Sequence, residues 1–401
     1  MKDALNNNGI EANMLVRDKL SDDTTVFTIK NGWHTQWNKL WERWCIFWHL
    51  HFSKRNLFAI DIANAGTDIT QLQAFKDADV VHLAWINQGM LSLKGIEKIL
   101  KTGKPLVWTM HDIWPATAVC HITLDCRQFE TQCKDCHLLP SGIGKSLAQR
   151  TWKRKEAIEG RSHIIYITCS KWLQGEAKRS ALIGQNPIEC IPNPIDTSVF
   201  CKADKAEARR KLGLPTEKRL ILFASQRVTN QNKGMGYLVD ACRKMVEQHP
   251  ETLANTAVVV LGGHAEDLRE NFDLPMFPLG YVSDTQQIVD VYNAIDVFVL
   301  PSLSDNLPNT IMEAMSCGVP CVGFEVGGIP EMIDHEHNGY VVKMKDSADL
   351  AYGINWVLNV ADYEKLSANA VEKVKQCYSQ TRVATQYIDI YKRAVAYSKN
   401  K

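Results

Sequence analysis

Short runs of uninterrupted apolar residues alternate with stretches where apolar positions recur every three or four residues. In the first half the runs are ANMLVR, TTVFTI, DVVHLAW, KPLVWTM and HIIYIT; in the second they are RLILFAS, TAVVVLGG, DVFVLP and PCVGF. Runs apolar at successive positions suit parallel strands buried on both faces. Between them, GMGYLVDACRKMVEQH and DTQQIVDVYNAI carry helical spacing. The alternation predicts βαβ units and doubly wound sheets of the α/β class. At 401 residues the chain exceeds what one core ordinarily serves. A polar stretch bearing three prolines, ECIPNPIDTSVFCKADKAEARRKLGLPTEKR, precedes the strand that opens at Arg219 and marks the break. Rossmann-like domains are expected over 1–190 and 191–375, with a helix over 376–401 packing back toward the first.

One helical stretch is unusual. WNKLWERWCIFWHLHF places Trp37, Trp41, Trp44, Trp48 and Phe52 at intervals of four, three, four and four. That is one narrow aromatic stripe. Its first reading is a helix that turns the stripe into the core. Its second is an interfacial helix, because tryptophan suits a headgroup region and Lys39, Arg43, Lys54 and Arg55 lie close by. The run RTWKRKEAIEG adds Arg150, Lys153, Arg154 and Lys155, which read first as a solvated helix face.

Composition narrows the function classes. A net charge of +1 gives no overall basic field for nucleic acid. The opening MKDALNNNGIEANMLV has no apolar signal core, and no run nears the ~18 apolar residues of a membrane helix. The cytosol is the expected compartment, and there the twelve cysteines are expected as thiols or metal ligands. Cys120, Cys126, Cys133 and Cys136 fall within 17 residues and end in C-x2-C. They read as a four-thiolate structural zinc site, or as free thiols in a packed loop.

The chemistry concentrates in SDNLPNTIMEAMSCGVPCVG, where Asp305 and Glu313 have seven residues between them. Ligands of open parallel sheets bind at the carboxyl ends of the strands. Asp305 follows the strand DVFVLP. Pro308 suits the first turn of a helix running to Gly318, and Glu313 lies one turn further on. The helix start suits a diphosphate, and carboxylates accept sugar and ribose hydroxyls. The loop EVGGIPEM is expected to open another helix start, and QRVTNQNKGMG places Arg227 and Lys233 at a third strand end, where they could clamp a diphosphate. Taken singly, the two acids read as a helix cap and a solvated helix residue. In the first half, VWTMHDIWP ends a strand with His111, read either as a crevice residue or as a histidine satisfied by backbone groups. His82 and Trp85 sit at a neighbouring strand end.

The segment DNLPNTIMEAMSCGVPCVGFEVGGIPE resembles the hallmark of the family-4, group 1 retaining glycosyltransferases of the GT-B architecture, in their bacterial polysaccharide-biosynthesis form. IPNPIDTSVF and GYVSDTQQIVDVYNAIDVFVLPS resemble that family's interdomain junction and nucleotide-binding stretch. The resemblance implies two Rossmann-like domains facing a central cleft. It implies that Glu313 binds the nucleotide ribose, Asp305 contacts the donor sugar, and Arg227 and Lys233 hold the leaving diphosphate. Asn306, Leu307, Gly327, Gly328 and Glu331 would line the donor pocket, and His111 would sit near the donor sugar. The donor would be a nucleotide-diphosphate sugar of the UDP or GDP type. The acceptor would be a glycan or lipid-linked molecule, with peripheral contact at the inner membrane surface and no metal needed for transfer.

Two departures stand out. Position 305 is Asp where the family has Glu, shorter by one bond, ~1.5 Å. The chain also opens where the family's first helix ends, so the family's first strand and glycine-rich loop are expected upstream of a misassigned start. The competing readings are a catalytically impaired scaffold of the same fold and a nucleotide-sugar epimerase.

Overall fold

The structure, a computed structural model, describes residues 1–29, 32–140, 143–160 and 163–399. It divides into two units. The first comprises Met1–Ile191 together with Ala384–Lys401, the second Pro192–Val383.

In the first unit, β1 (Met14–Val16) and β2 (Val26–Thr28) form a small parallel pair. β3 (Val81–Leu83), β4 (Leu106–Met110), β5 (Ile164–Thr168) and β6 (Ile188–Cys190) form a parallel sheet in that order. Every residue of β4 and β5 is buried, which is why both read as unbroken apolar runs. The helix Gln380–Lys399 returns to this sheet. Its Tyr391 hydroxyl meets Nδ1 of His82 at 2.7 Å, and its Tyr387 hydroxyl meets Thr109 at 2.8 Å.

The tryptophan helix, Gly32–His49, overturns the core-facing reading. Its buried positions are Thr35, Glu42, Arg43 and Ile46, while Trp37, Trp41, Trp44 and Trp48 are exposed. Polar chemistry holds it in this sense. Glu42 Oε1 accepts the amides of Ile62 at 3.1 Å and Ala63 at 2.6 Å. Arg43 donates to the carbonyls of Leu57 and Ile60 and pairs with buried Asp61. The backbone at Lys39 rests on Gly89, where a Cβ would lie 2.5 Å from the Lys39 nitrogen. A charge taken out of water needs such partners, and once they exist the charge fixes the helix rotation as firmly as an apolar stripe would.

The second unit is one six-stranded parallel sheet. Its strands are β7 (Arg219–Arg227), β8 (Thr256–Gly263), β9 (Met276–Gly280), β10 (Val297–Leu300), β11 (Cys321–Phe324) and β12 (Gly339–Val342), in the order β12-β11-β10-β7-β8-β9. This is the doubly wound order in which the first strand lies between the second and the fourth. Ligands of such sheets bind beside that first strand, where the winding reverses. Below the sheet, buried Asp296 accepts from Arg209 at 2.6 Å, Lys205 at 2.7 Å and the Leu220 amide at 2.7 Å. It bolts the helix Lys205–Leu212 to the strand ends opposite the site.

Candidate functional site

The winding reverses between β7 and β10, which pair in register with Val297 beside Ile221. The loops leaving these strands are therefore neighbours, and their backbones are stitched together. The Leu303 amide donates to the Asn232 carbonyl at 2.8 Å. Gly234 has φ +73°, and a Cβ on it would fall 1.8 Å from the Pro301 oxygen. Only glycine fits where one backbone approaches another this closely.

This stitching delivers Lys233 to Asp305. Its Nζ lies 2.8 Å from Oδ2 and 3.1 Å from Oδ1, with both side chains mostly but not wholly covered. The third loop, after β11, closes on the same residue. Gly327 has φ +57°, and its Cβ would lie 1.7 Å from the Asp305 carbonyl oxygen. The Gly328 amide points at that oxygen at 3.4 Å. Three strand ends thus converge on Asp305, two through backbone and one through an ion pair. Arg227 is exposed at the tip of β7, beyond a register shift against β8 between Ala224 and Arg227. Such an irregularity re-aims the residue that follows it.

The helix after β10 is Asn309–Ser316. Pro308 stands just outside it as the cap residue, rather than within its first turn, and offers no side-chain hydrogen bond to the first amides. The helix also stops before Gly318, whose φ of +76° ends it. Glu313 is half-buried, and its Oε2 accepts from the Tyr292 hydroxyl at 2.8 Å. Burial pushes the Glu313 carboxyl above its ordinary range, against the opposing effect of that hydrogen bond. Tyr292 lies buried on the helix Thr285–Ala294, against Phe298 and Phe200. Sequence reasoning missed it as a partner for Glu313. A tyrosine within an apolar helical pattern was the available signal, since a buried phenol needs a hydrogen-bond partner.

Leu307 is buried and Asn306 half-buried beside Asp305. Gly328 is buried, and Glu331 lies in the helix Ile329–Met332. That helix has only four residues, so the expected second helix start supplies no anion site of its own.

In the first unit, His111 follows β4 and is exposed, with Nδ1 3.5 Å from the Cys169 sulfur. Its neighbour Asp112 enters a chain not foreseen from sequence. His121 bridges Asp112 at 2.8 Å and Asp61 at 2.7 Å, and Asp61 pairs with Arg43. His82 lies between Tyr391 and Thr109 Oγ1 at 2.7 Å each, while Trp85 is exposed.

The four loop cysteines form no disulfide; Cys120 and Cys133 are buried, Cys126 and Cys136 half-buried. Burial raises the Cys120 thiol to about 12 and the Cys133 thiol to about 11, and it raises Cys136 as well. Hydrogen bonds from the backbone at Leu138 and Leu139 act on Cys136 in the opposite sense, favouring its thiolate. Buried Lys155 stands nearby, bonded to the carbonyls of Trp114 at 2.6 Å and Thr117 at 2.9 Å. Burial lowers it to about 7, and Cys120 and Cys133 are the foremost groups opposing that. Among the described residues no three His, Cys, Asp or Glu side chains are placed to hold a metal ion, so the sulfurs do not form a cage as they stand.

Residues 218–360 match the sequence family described as glycosyl transferases, group 1. An uncharacterized glycosyltransferase of Methanocaldococcus jannaschii is 28% identical over 361 residues, covering 85% of this chain and 91% of its own. N-acetyl-alpha-D-glucosaminyl L-malate synthase of Bacillus anthracis is 25% identical over 219 residues, 53% of this chain and 55% of its own. Among solved structures, sucrose-phosphate synthase of Thermosynechococcus elongatus superposes with a TM-score of 0.65 at 17% identity, covering 99% of this chain and 92% of its own. The Anabaena protein HepE, solved with UDP, gives 0.60 at 18% identity over 80% of each chain. The structural likenesses carry the fold, and the sequence match to the group 1 family lies within the second unit. Over residues 218–360 the chain is thus similar to the group 1 glycosyl transferases, and its two Rossmann-like units have the GT-B architecture.

Proposed function

We propose that this chain is a retaining transferase that moves a hexose-type sugar from a nucleotide-diphosphate donor to a glycan or lipid-linked acceptor in cell-surface polysaccharide synthesis. The observation that carries the reading is the convergence of three strand-end loops on Asp305 at the reversal of the second sheet. In this reading Glu313 takes the ribose hydroxyls, and its Tyr292 hydrogen bond sets its direction. Asp305, Asn306, Leu307, Gly327, Gly328 and Glu331 surround the donor sugar and diphosphate. Arg227 and Lys233 meet the charge that develops on the leaving diphosphate, the kind of electrostatic stabilisation that dominates many transfers. The acceptor hydroxyl gives its proton to the departing phosphate oxygen as the new glycosidic bond forms on the face that the phosphate leaves. No side chain acts as nucleophile, and no metal is assigned a step. His111 assists on the acceptor side.

A second reading, donor binding without turnover, is favoured by one observation: Lys233 already holds Asp305. The magnitudes argue that this does not block the site. A partly exposed ion pair contributes up to ~1 kcal/mol. A diphosphate brings more charge than one carboxylate and displaces it at little cost.

Thermal-shift screening against UDP, GDP and ADP, with Glu313→Ala as control, tests the proposal. A nucleotide at a hundredfold excess over its Kd stabilises by about 2.7 kcal/mol. A shift with one nucleotide, absent in the variant, supports the donor site. A well-folded protein that responds to none of the three refutes it. Turnover of the matching nucleotide sugar then separates transferase from scaffold.

A further inference from the structure

We propose that the outward face of the helix Gly32–His49 seats the first unit on an anionic lipid surface. Along this helix and the turn after it, Trp33, Trp37, Trp41, Trp44, Trp48 and Phe52 each keep about half or more of their surface, from 49% to 79%. They succeed one another along a single side of the helix, as their spacing requires. Trp48 and Phe52 meet edge to face with ring centroids 5.3 Å apart, so the stripe continues past the helix end.

This exposure is built in. Glu42 and Arg43 lock the opposite face through backbone amides, carbonyls and Asp61, and Gly89 admits the helix backbone at Lys39. Rolling the aromatics inward would strip two charges of their partners, at a cost of several kcal/mol. A contiguous apolar face held outward in this way marks a contact surface.

The chemistry of the face names its occupant. Tryptophan is the side chain of membrane–water boundaries, apolar in body and polar at one edge. The only acid on the helix, Glu42, is buried. Lys54 and Arg55 are exposed at the end of the stripe. Arg150 reaches His49 at 3.3 Å from the helix Ile143–Glu159, which also exposes Lys153 and Arg154. An aromatic stripe edged by cations is complementary to a bilayer carrying anionic headgroups. No helix among the described residues is long and apolar enough to cross a membrane, so the contact is one-sided.

Co-sedimentation of the full chain with vesicles tests this without any nucleotide sugar, so its outcome is independent of the donor-site proposal. Binding is expected to vesicles of phosphatidylcholine with phosphatidylglycerol, weaker to phosphatidylcholine alone, and to fall with added salt. Trp44→Ser with Trp48→Ser should reduce partitioning about tenfold per tryptophan. Lys54→Ala with Arg55→Ala should reduce it about thirtyfold on anionic vesicles only. The cation variant leaves the aromatics in place and reports even if the tryptophan variant proves less stable. Absence of vesicle binding, or binding unchanged by both variants, overturns the proposal. So does a wild-type dimer that the tryptophan variant dissolves without vesicle affinity, which would make the face an interface between copies.

Discussion

Gly327→Ala probes the convergence on Asp305 most directly. The residue sits at φ +57°, and the added methyl would lie 1.7 Å from the Asp305 carbonyl oxygen. The left-handed backbone alone costs alanine roughly 1–2 kcal/mol. The clash adds more, because the loop after β11 or the one after β10 must retreat by at least about 1 Å to restore ordinary contact. Displacement on that scale at a reacting centre costs on the order of 10²-fold in rate. Gly213→Ala, at the end of the helix Lys205–Leu212, is the matched control: its φ is +65°, yet nothing lies within 4 Å of the added methyl. It should lose about 1 kcal/mol of stability and keep its activity. The assay is turnover of the nucleotide sugar selected by thermal shift, beside urea unfolding of both variants. Wild-type turnover by Gly327→Ala would refute the claim that the Asp305 loop must be held where it is. An equal loss in Gly213→Ala would show that backbone strain anywhere in the second unit is enough.

Two further predictions concern the first unit. Burial lowers His82 from 6.5 to about 4, so the unfolded chain binds a proton in that window that the native state refuses. Stability should therefore fall as pH falls from 6.5 to 4, by about 3 kcal/mol, and His82→Gln should flatten that slope; a variant with the wild-type slope would remove His82 as the cause. Metal analysis tests the cysteine loop. Drawn together from their present positions, the four thiols are expected to hold about one zinc per chain, with Lys155 balancing thiolate charge; a purified protein with negligible zinc, unchanged by Cys136→Ser, would assign them as free thiols.

Most strands that could be read from sequence are buried on both faces, β1 and β2 being partly exposed exceptions. Every apolar run quoted at the outset contains a strand of the structure. The three that went unread, β6, β9 and β12, are all edge strands. An edge strand need not be apolar at successive positions, and β9 even carries Pro278, which an interior strand could not accommodate. The tryptophan helix misled in the opposite way. Its periodicity was correct, but the rule that the apolar side faces inward failed, because Glu42 and Arg43 find partners on Ile62, Ala63, Leu57 and Asp61 that lie well downstream in sequence. Lys233 and Asp305 were legible separately as strand-end residues. Their pairing was not, since it depends on which strands adjoin in the sheet. The Asp61–His121–Asp112 chain was hidden for the same reason, Asp61 and His121 being separated by sixty positions.

The last helix carries a consequence for how the molecule is made. Tyr387 and Tyr391 meet Thr109 and His82, within a unit that otherwise ends at Ile191. A ribosome thus releases the whole second unit before the first receives its final contacts. The first-made half must wait, incompletely packed, while the second folds in the interval. Emergence of the helix Gln380–Lys399, rather than of residue 191, is the event that completes it.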